Sequence, residues 1–325
     1  MTDSLTTPPT PQTTSASDAD TPAEARTLTR HVKIGRVVVL INPLSGSVGP
    51  KAPAEVEAIM AEYDCEAEVV ILGDGQIDAQ IDQALSSSPD VLFVLAGDGT
   101  ARAVASRAGA KGALIVPLPG GTMNMLPRAL YGTADWKIAM RAALEQGEAQ
   151  FVSGGTVAGQ AFYCAAILGS PALWAPAREA MRTGKISLAW AYGRRAWRRA
   201  FSGRLRFSLD GGDRRKTEAL VLISPMISRA LDEPVGLEAA AMDPGDTSQA
   251  FRLAATALFS DWRSDASVTT QPARLIEVWG RSKIPAVIDG EPVLLGSEAK
   301  VTFMPKAFRA LAPNPDPAAD ADAAT

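Results

Sequence analysis

At 325 residues and 34.0 kDa, with 46% hydrophobic and 21% charged residues, the chain is long enough for two packed cores and too apolar for wholesale disorder. One histidine, His31, and two cysteines, Cys65 and Cys164, leave little room for a Ser-His-Asp triad and exclude an HExxH metal site and a four-cysteine zinc site. Carboxylates, lysines or a bound Mg2+ must then carry any proton or group transfer. A net charge of −4 gives no chain-wide attraction to nucleic acid, and no nucleic-acid module is recognisable, so no such partner is expected.

Along the chain, the first 30 residues hold nine Thr, three Ser and four Pro, with no basic and apolar run of the signal-peptide kind, and residues 1–32 are expected to be unstructured. From Lys33 to about residue 150, short β-branched runs alternate with longer segments of helical period, the pattern of a parallel sheet covered by helices. The strands expected are Arg36–Ile41, Ala67–Leu72, Val91–Ala96 and Ala113–Pro117. The helices expected are Ala52–Tyr63, Ile77–Leu85, Thr100–Ala108 and Trp136–Glu145.

Beyond Gln150 the strand–helix repeat stops, and short alternating strands separated by Gly/Asp turns predict a mainly β, sandwich-like second domain over 151–285. Strands are expected near Phe162–Ile167, Leu205–Leu209, Glu218–Ile223, Phe251–Ala255, Arg274–Val278, Ala286–Ile288 and Lys300–Phe303. A basic helical insertion interrupts them at 173–203. Residues 286–311 read as a segment returning towards the first domain, and 312–325 as an unstructured tail. The fold class is therefore α/β, an N-terminal α/β nucleotide-binding domain followed by a mainly β domain.

Three Gly-rich loops follow three of the expected strands: Asn42-Pro43-Leu44-Ser45-Gly46-Ser47, Gly97-Asp98-Gly99-Thr100 and Gly120-Gly121-Thr122-Met123-Asn124. In an open parallel sheet ligands bind beyond the carboxyl ends of the strands, so the three can share one crevice. Phosphates need backbone N–H groups unobstructed by side chains, which glycines beside Ser or Thr at a helix start supply. An aspartate between two glycines repels a triphosphate, and Asp98 is better suited to holding Mg2+ or taking a proton. Neither a GxxxxGK[ST] loop nor a GxGxxG fingerprint is present, which excludes P-loop ATPases and Rossmann dehydrogenases.

The sequence INPLSG (Ile41–Gly46), AGDGT (Ala96–Thr100), PLPGGTMN (Pro117–Asn124) and, far downstream, IDGEPV (Ile288–Val293) resembles the diacylglycerol kinase catalytic domain family, which includes bacterial diacylglycerol kinases and sphingosine and ceramide kinases. The resemblance implies ATP with Mg2+ as phosphoryl donor and a lipid hydroxyl as acceptor, meeting in the cleft between two domains. It makes Asn42, Ser45, Gly46, Gly97, Gly99, Thr100, Gly121, Thr122 and Asn124 nucleotide contacts, with Asp98 near the metal. It makes Asp289 and Glu291 acidic groups of the site, with Asp289 or else Asp98 as the proton acceptor. Phosphoryl transfer is mostly positioning and charge stabilisation, so one carboxylate with Mg2+ suffices and a histidine is not missed. Taken alone, Asp289-Gly290 is also a hairpin-turn signal. The stretch Met125-Leu126-Pro127-Arg128 departs from the acidic and aromatic residues common in the family after GTxN. A soluble NAD-kinase-type phosphotransferase is the alternative enzyme, but its Asn-Glu dipeptide is missing. A silent nucleotide-dependent membrane-binding protein is the non-enzyme alternative.

Between Arg178 and Lys216 twelve Lys/Arg stand against three Asp/Glu. In Lys185–Phe201, Trp190 and Trp197 share a helical face while Arg195, Arg198 and Arg199 lie on another, with Arg194 at the border. Such a helix suits an anionic membrane surface. A core-packed helix with a solvated arginine face is the plainer reading. Reduced thiols and the absence of an apolar run long enough to span a bilayer point to a cytoplasmic protein peripheral at the inner leaflet. A second copy of the chain is a further partner left open.

Overall fold

The computed structural model describes residues 26–73, 75–169, 205–228, 235–242 and 268–314. The first part alternates β1 (Arg36–Ile41), α1 (Ala52–Met60), β2 (Glu66–Ile71), α2 (Ile77–Ser86), β3 (Val91–Ala96), α3 (Asp98–Ala108), β4 (Leu114–Pro119), α4 (Met125–Tyr131) and α5 (Trp136–Gln146). The four strands pair in parallel in the order β2-β1-β3-β4. β3 and β4 are buried throughout, as a strand covered on both faces must be. Alternate residues of β1 serve the two cores: Val37, Val39 and Ile41 pack with α1 and α5, and Val38 and Leu40 with α2, α3 and α4.

The second part is the expected sandwich. β5 (Glu148–Val157), β6 (Gln160–Phe162), β8 (Leu205–Leu209), β9 (Arg215–Thr217), β13 (Leu275–Trp279) and β16 (Glu298–Ala312) belong to one sheet. The other is β12-β11-β10-β7-β14-β15, formed by β7 (Ala165–Gly169), β10 (Ala219–Ile223), β11 (Leu237–Met242), β12 (Val268–Ala273), β14 (Pro285–Ile288) and β15 (Glu291–Leu294). Phe207, Ile276 and Val301 of the first sheet and Leu168, Leu222 and Ile288 of the second share one core. The two parts are stitched together by β16, which pairs with β13 and β5 and then meets β4 at Ala310 opposite Ile115. Pro117 and Pro119 follow that single contact. Lacking N–H donors, they suit the stretch of β4 that has no ladder partner on that side.

Several elements escape a pattern reading for identifiable reasons. α4 carries Pro127 in its first turn, where a proline is tolerated. β5 is hidden by Gly154 and Gly155, which are required by close approach: a Cβ there would lie 2.3 Å from the Phe162 carbonyl oxygen and 2.5 Å from Phe162 Cζ. β16 was expected only at Lys300–Phe303, but its 15 residues continue past Pro305 through a register shift between Met304 and Phe308. β11 is alanine-rich, and β15 follows too closely on the Asp289-Gly290 turn to stand out.

Two boundaries need correction. Residues 26–32 are structured: the buried Thr29 hydroxyl donates to the Gly147 carbonyl at 2.8 Å, and Arg26 pairs with Glu62 and Glu145 at 2.9 Å each. Ala312, placed in the tail, is the fully buried last residue of β16. The strand expected at Phe251–Ala255 and the basic insertion at 173–203, with Trp190, Arg194, Arg195, Trp197, Arg198 and Arg199, lie outside the described residues. No helix among the described residues is long and apolar enough to cross a membrane.

Candidate active site

In the order β2-β1-β3-β4 the connections leave β1 and β3 in opposite directions, so a crevice opens at their carboxyl ends. The three glycine-bearing loops meet there. The loop after β1 folds on itself, with Asn42 Oδ1 accepting from the Leu44 amide at 3.0 Å and the Ser45 amide donating to the Asn42 carbonyl at 3.0 Å. Ser45 Oγ accepts from the Gly97 amide at 3.1 Å, tying this loop to the one after β3. A Cβ on Gly46 would lie 3.0 Å from the Gly121 carbonyl carbon, so the first and third loops also touch.

Asp98 is the first residue of α3, whose N-cap is Gly97. Its Oδ2 accepts from the Asn124 amide at 3.1 Å, joining the second loop to the third. Asn124 stands in the left-handed region at φ 49°, a conformation asparagine tolerates, and its amide group holds Gly121 from both sides, at 2.7 and 3.0 Å. Burial pushes the Asp98 carboxyl up, against the amides of Asn124, Met123, Met125 and its own residue. Asp98 makes no ion pair with any described cation. A half-buried carboxylate at a helix start, beside packed glycines and without a cationic partner, fits a divalent cation with a phosphate.

Gly120 is packed against backbone more closely than any other glycine of the three loops. A Cβ there would sit 2.7 Å from both the amide nitrogen and the carbonyl oxygen of Ala96. Gly120→Ala is therefore expected to destabilise the chain by about 1–3 kcal/mol, because the backbone must shift. Denaturant unfolding checks this, with Gly73→Ala as the neutral control, since a Cβ at Gly73 meets nothing within 4 Å.

The second part of the chain delivers its acid on the β14–β15 hairpin. Asp289 and Gly290 form the turn with φ 45° and 88°, as an Asp-Gly turn of type I′ requires. Asp289 Oδ2 accepts from the Tyr163 amide at 2.8 Å, and Oδ1 from the amides of Cys164 and Ala165 at 2.9 and 3.0 Å. Burial pushes this carboxyl up as well, opposed by those three amides and by the charge of Arg102. Asp98 and Asp289 line the same cleft, together with Arg102, Met123, Tyr163 and Cys164. Burial, with both carboxylates nearby, raises the Cys164 thiol. Glu291 stands at the rim, half exposed, ion-paired with Arg102 and packed against Gly99.

All the residues expected from the three loops and the DGE segment are thus brought to one end of the parallel sheet. Among the lining residues not anticipated, three carry polar or titratable groups, Arg102, Tyr163 and Cys164. Arg102 carried a readable signal, since it lies four residues beyond Asp98 and so on the same helix face. Tyr163 and Cys164 carried none, because they enter through the pairing of β7 with β14.

Residues 36–155 match the family model of the diacylglycerol kinase catalytic domain. The crystal structure of a diacylglycerol kinase from Bacillus anthracis str. Sterne is similar to this fold, with a TM-score of 0.66 and 17% identity over 89% of this chain and 99% of that chain. A second structure from the same strain gives a TM-score of 0.64 at 17% identity, over 88% of this chain and 99% of that one. No curated protein matches the chain. The family recognised from the loop motifs is borne out over residues 36–155, and the two-part α/β fold over nearly the whole chain. Asp289 and Glu291 lie beyond the matched residues, and their place in the site rests on the geometry above.

Proposed function

We propose that this protein is an ATP-dependent lipid kinase that transfers the γ-phosphoryl group to a hydroxyl of a diacylglycerol-like or sphingolipid-like acceptor at a membrane surface. The observation that carries this reading is the pairing of Asp98, set among three interlocked glycine loops, with Asp289, held across one cleft by the other half of the chain. ATP with Mg2+ would supply the phosphoryl group and the charge that stabilises its transfer. Gly46, Gly97, Gly99 and Gly121 keep side chains away from the start of α3, where phosphate oxygens would sit, the Gly97 and Gly121 amides themselves being taken by Ser45 Oγ and Asn124 Oδ1, with Asn42, Ser45, Thr100, Thr122 and Asn124 shaping the loops around them. Asp98 would hold the cation. Asp289 would take the hydroxyl proton. A carboxylate offers about four lone-pair sites, so three amide donors leave about one for that proton.

Two features favour an acceptor carried on an apolar body. Beside Asp289 the cleft is lined by Ala101, Met123, Met125 and Leu126, and Leu44, 77% exposed, stands on the first loop of the site. A membrane surface is favoured by the described end of the basic segment. Arg206 lies opposite both Lys216 and Trp279, so the three share one sheet face, and Arg214 stacks over the Trp279 ring at 4.2 Å. Arg206, Arg214 and Lys216 are exposed, and none pairs with a carboxylate among the described residues. Replacing all three by Ala is expected to weaken sedimentation with phosphatidylserine vesicles at low salt, with the difference shrinking as salt rises. Unchanged sedimentation would remove this face from the reading.

The deciding experiment incubates the purified chain with labelled ATP, Mg2+, NAD and a total lipid extract. Label extracted into the organic phase supports the proposal. Label in NAD, or vesicle binding with no transfer to any acceptor, refutes it.

A further inference from the structure

Arg102 lines the cleft from α3, one turn beyond Asp98, and its side-chain hydrogen bonds run to the other half of the chain. Its side chain is only 19% exposed. Nη1 donates to the Ile288 carbonyl at 3.3 Å, and Nη2 donates to Glu291 Oε2. Ile288 is the last residue of β14 and Glu291 the first of β15, so one planar guanidinium spans the base of the turn that presents Asp289. The remaining hydrogen bonds of that corner, from the Asp289 amide to the Ala165 carbonyl and from the amides of Tyr163, Cys164 and Ala165 to its carboxylate, run to β7 and the residues just before it. They fix the hairpin within its own sheet. The Arg102 contacts fix it to the helix that begins with Asp98.

From this we infer that Arg102 is a positioning residue, a strut that sets the reach from the helix bearing Asp98 to the hairpin bearing Asp289. The inference deepens the kinase reading above, and only its consequence for transfer rests on that reading. A guanidinium can serve the carbonyl and the carboxylate together because its donors are fixed in one plane, whereas a lysine ammonium offers a single point of charge. The helix also makes the strut stiff at its other end, since Asp98 and Arg102 are separated by one hydrogen-bonded turn. The guanidinium charge in addition acts on Asp289 in the direction opposite to burial.

Hydrogen exchange on the full-length chain tests the strut whatever the protein phosphorylates. Arg102→Ala is expected to speed exchange in peptides covering 285–294 and 163–165 by about five-fold or more, with β1 and β3 unchanged. Arg102→Lys should restore part of the protection. Glu291→Ala should reproduce part of the effect, and the double variant should add little to Arg102→Ala. Unchanged exchange at the hairpin, or a uniform rise in both halves, would overturn the inference. In the transfer assay Arg102→Ala should lower kcat by at least about ten-fold with little change in KM for ATP, because the reacting groups are misplaced while nucleotide contacts are kept. A change confined to that KM would make Arg102 a nucleotide ligand and likewise overturn it. If the wild-type chain transfers phosphate to nothing, the kinase reading fails while the exchange result still decides the strut.

Discussion

Asp98→Asn is expected to lower phosphoryl transfer by about 10²–10⁴-fold while the melting temperature stays within a few degrees of wild type. The two outcomes separate because the side chain has two different duties. As a loop fastener, Asp98 needs only an oxygen that accepts from the Asn124 amide at 3.1 Å, and an asparagine oxygen can do that. In its proposed role of holding the cation it needs a full negative charge, which the amide lacks. Burial already works against that charge, so its removal relieves a penalty and offsets any weakened contact with the Met123 and Met125 amides. Thermal melting together with label counting checks both halves. Near-normal transfer would remove Asp98 from the chemistry, and a large fall in melting temperature would make it a structural cap.

The same division between local chemistry and long-range pairing explains what the sequence disclosed. Asn42, Ser45, Gly46, Gly97, Asp98, Gly121 and Asn124 were legible because each lies in a short loop after a buried β-branched strand, and such loops of a parallel sheet are forced to one edge. Asp289 was legible only as half of an Asp-Gly turn. What turns that corner into a site is three amides from residues 163–165, about 125 positions away, and no periodicity encodes the pairing of β7 with β14. β5 and the later part of β16 were obscured for a related reason. Their glycines and proline serve close approach and a register shift, and these residues look like strand breakers until the partner strand is present. Ala312 shows the limit of composition: an Ala/Pro/Asp tail reads as unstructured, yet its first alanine completes the last strand.

Asp289 separates stability from proton transfer in a different way. Asp289→Ala is expected to stop transfer and also to destabilise the fold, since the amides of Tyr163, Cys164 and Ala165 lose their acceptor. Each amide left without a partner costs about 1–3 kcal/mol where water cannot replace the carboxylate. Asp289→Asn keeps one accepting oxygen and a side chain that tolerates φ 45°, so its melting temperature should fall less while transfer is lost to a similar extent. The pH profile supplies a sign. Because burial raises the Asp289 carboxyl above its ordinary value of about 3.9, its ionised form, the one proposed to accept the proton, is lost as pH falls through that higher value. The acid limb of kcat/KM is therefore expected above pH ~4. Asp98 faces the same cleft and is raised in the same direction, so the limb in wild type belongs to both carboxyls together. The Tyr163 phenol and Cys164 thiol are pushed further up and away from that range, while the charge of Arg102 draws Asp289 partly back down. Arg102→Ala should thus move the limb to higher pH. A limb at the ordinary aspartate value, or one that survives unchanged in the residual activity of Asp289→Asn, would assign the proton to another group.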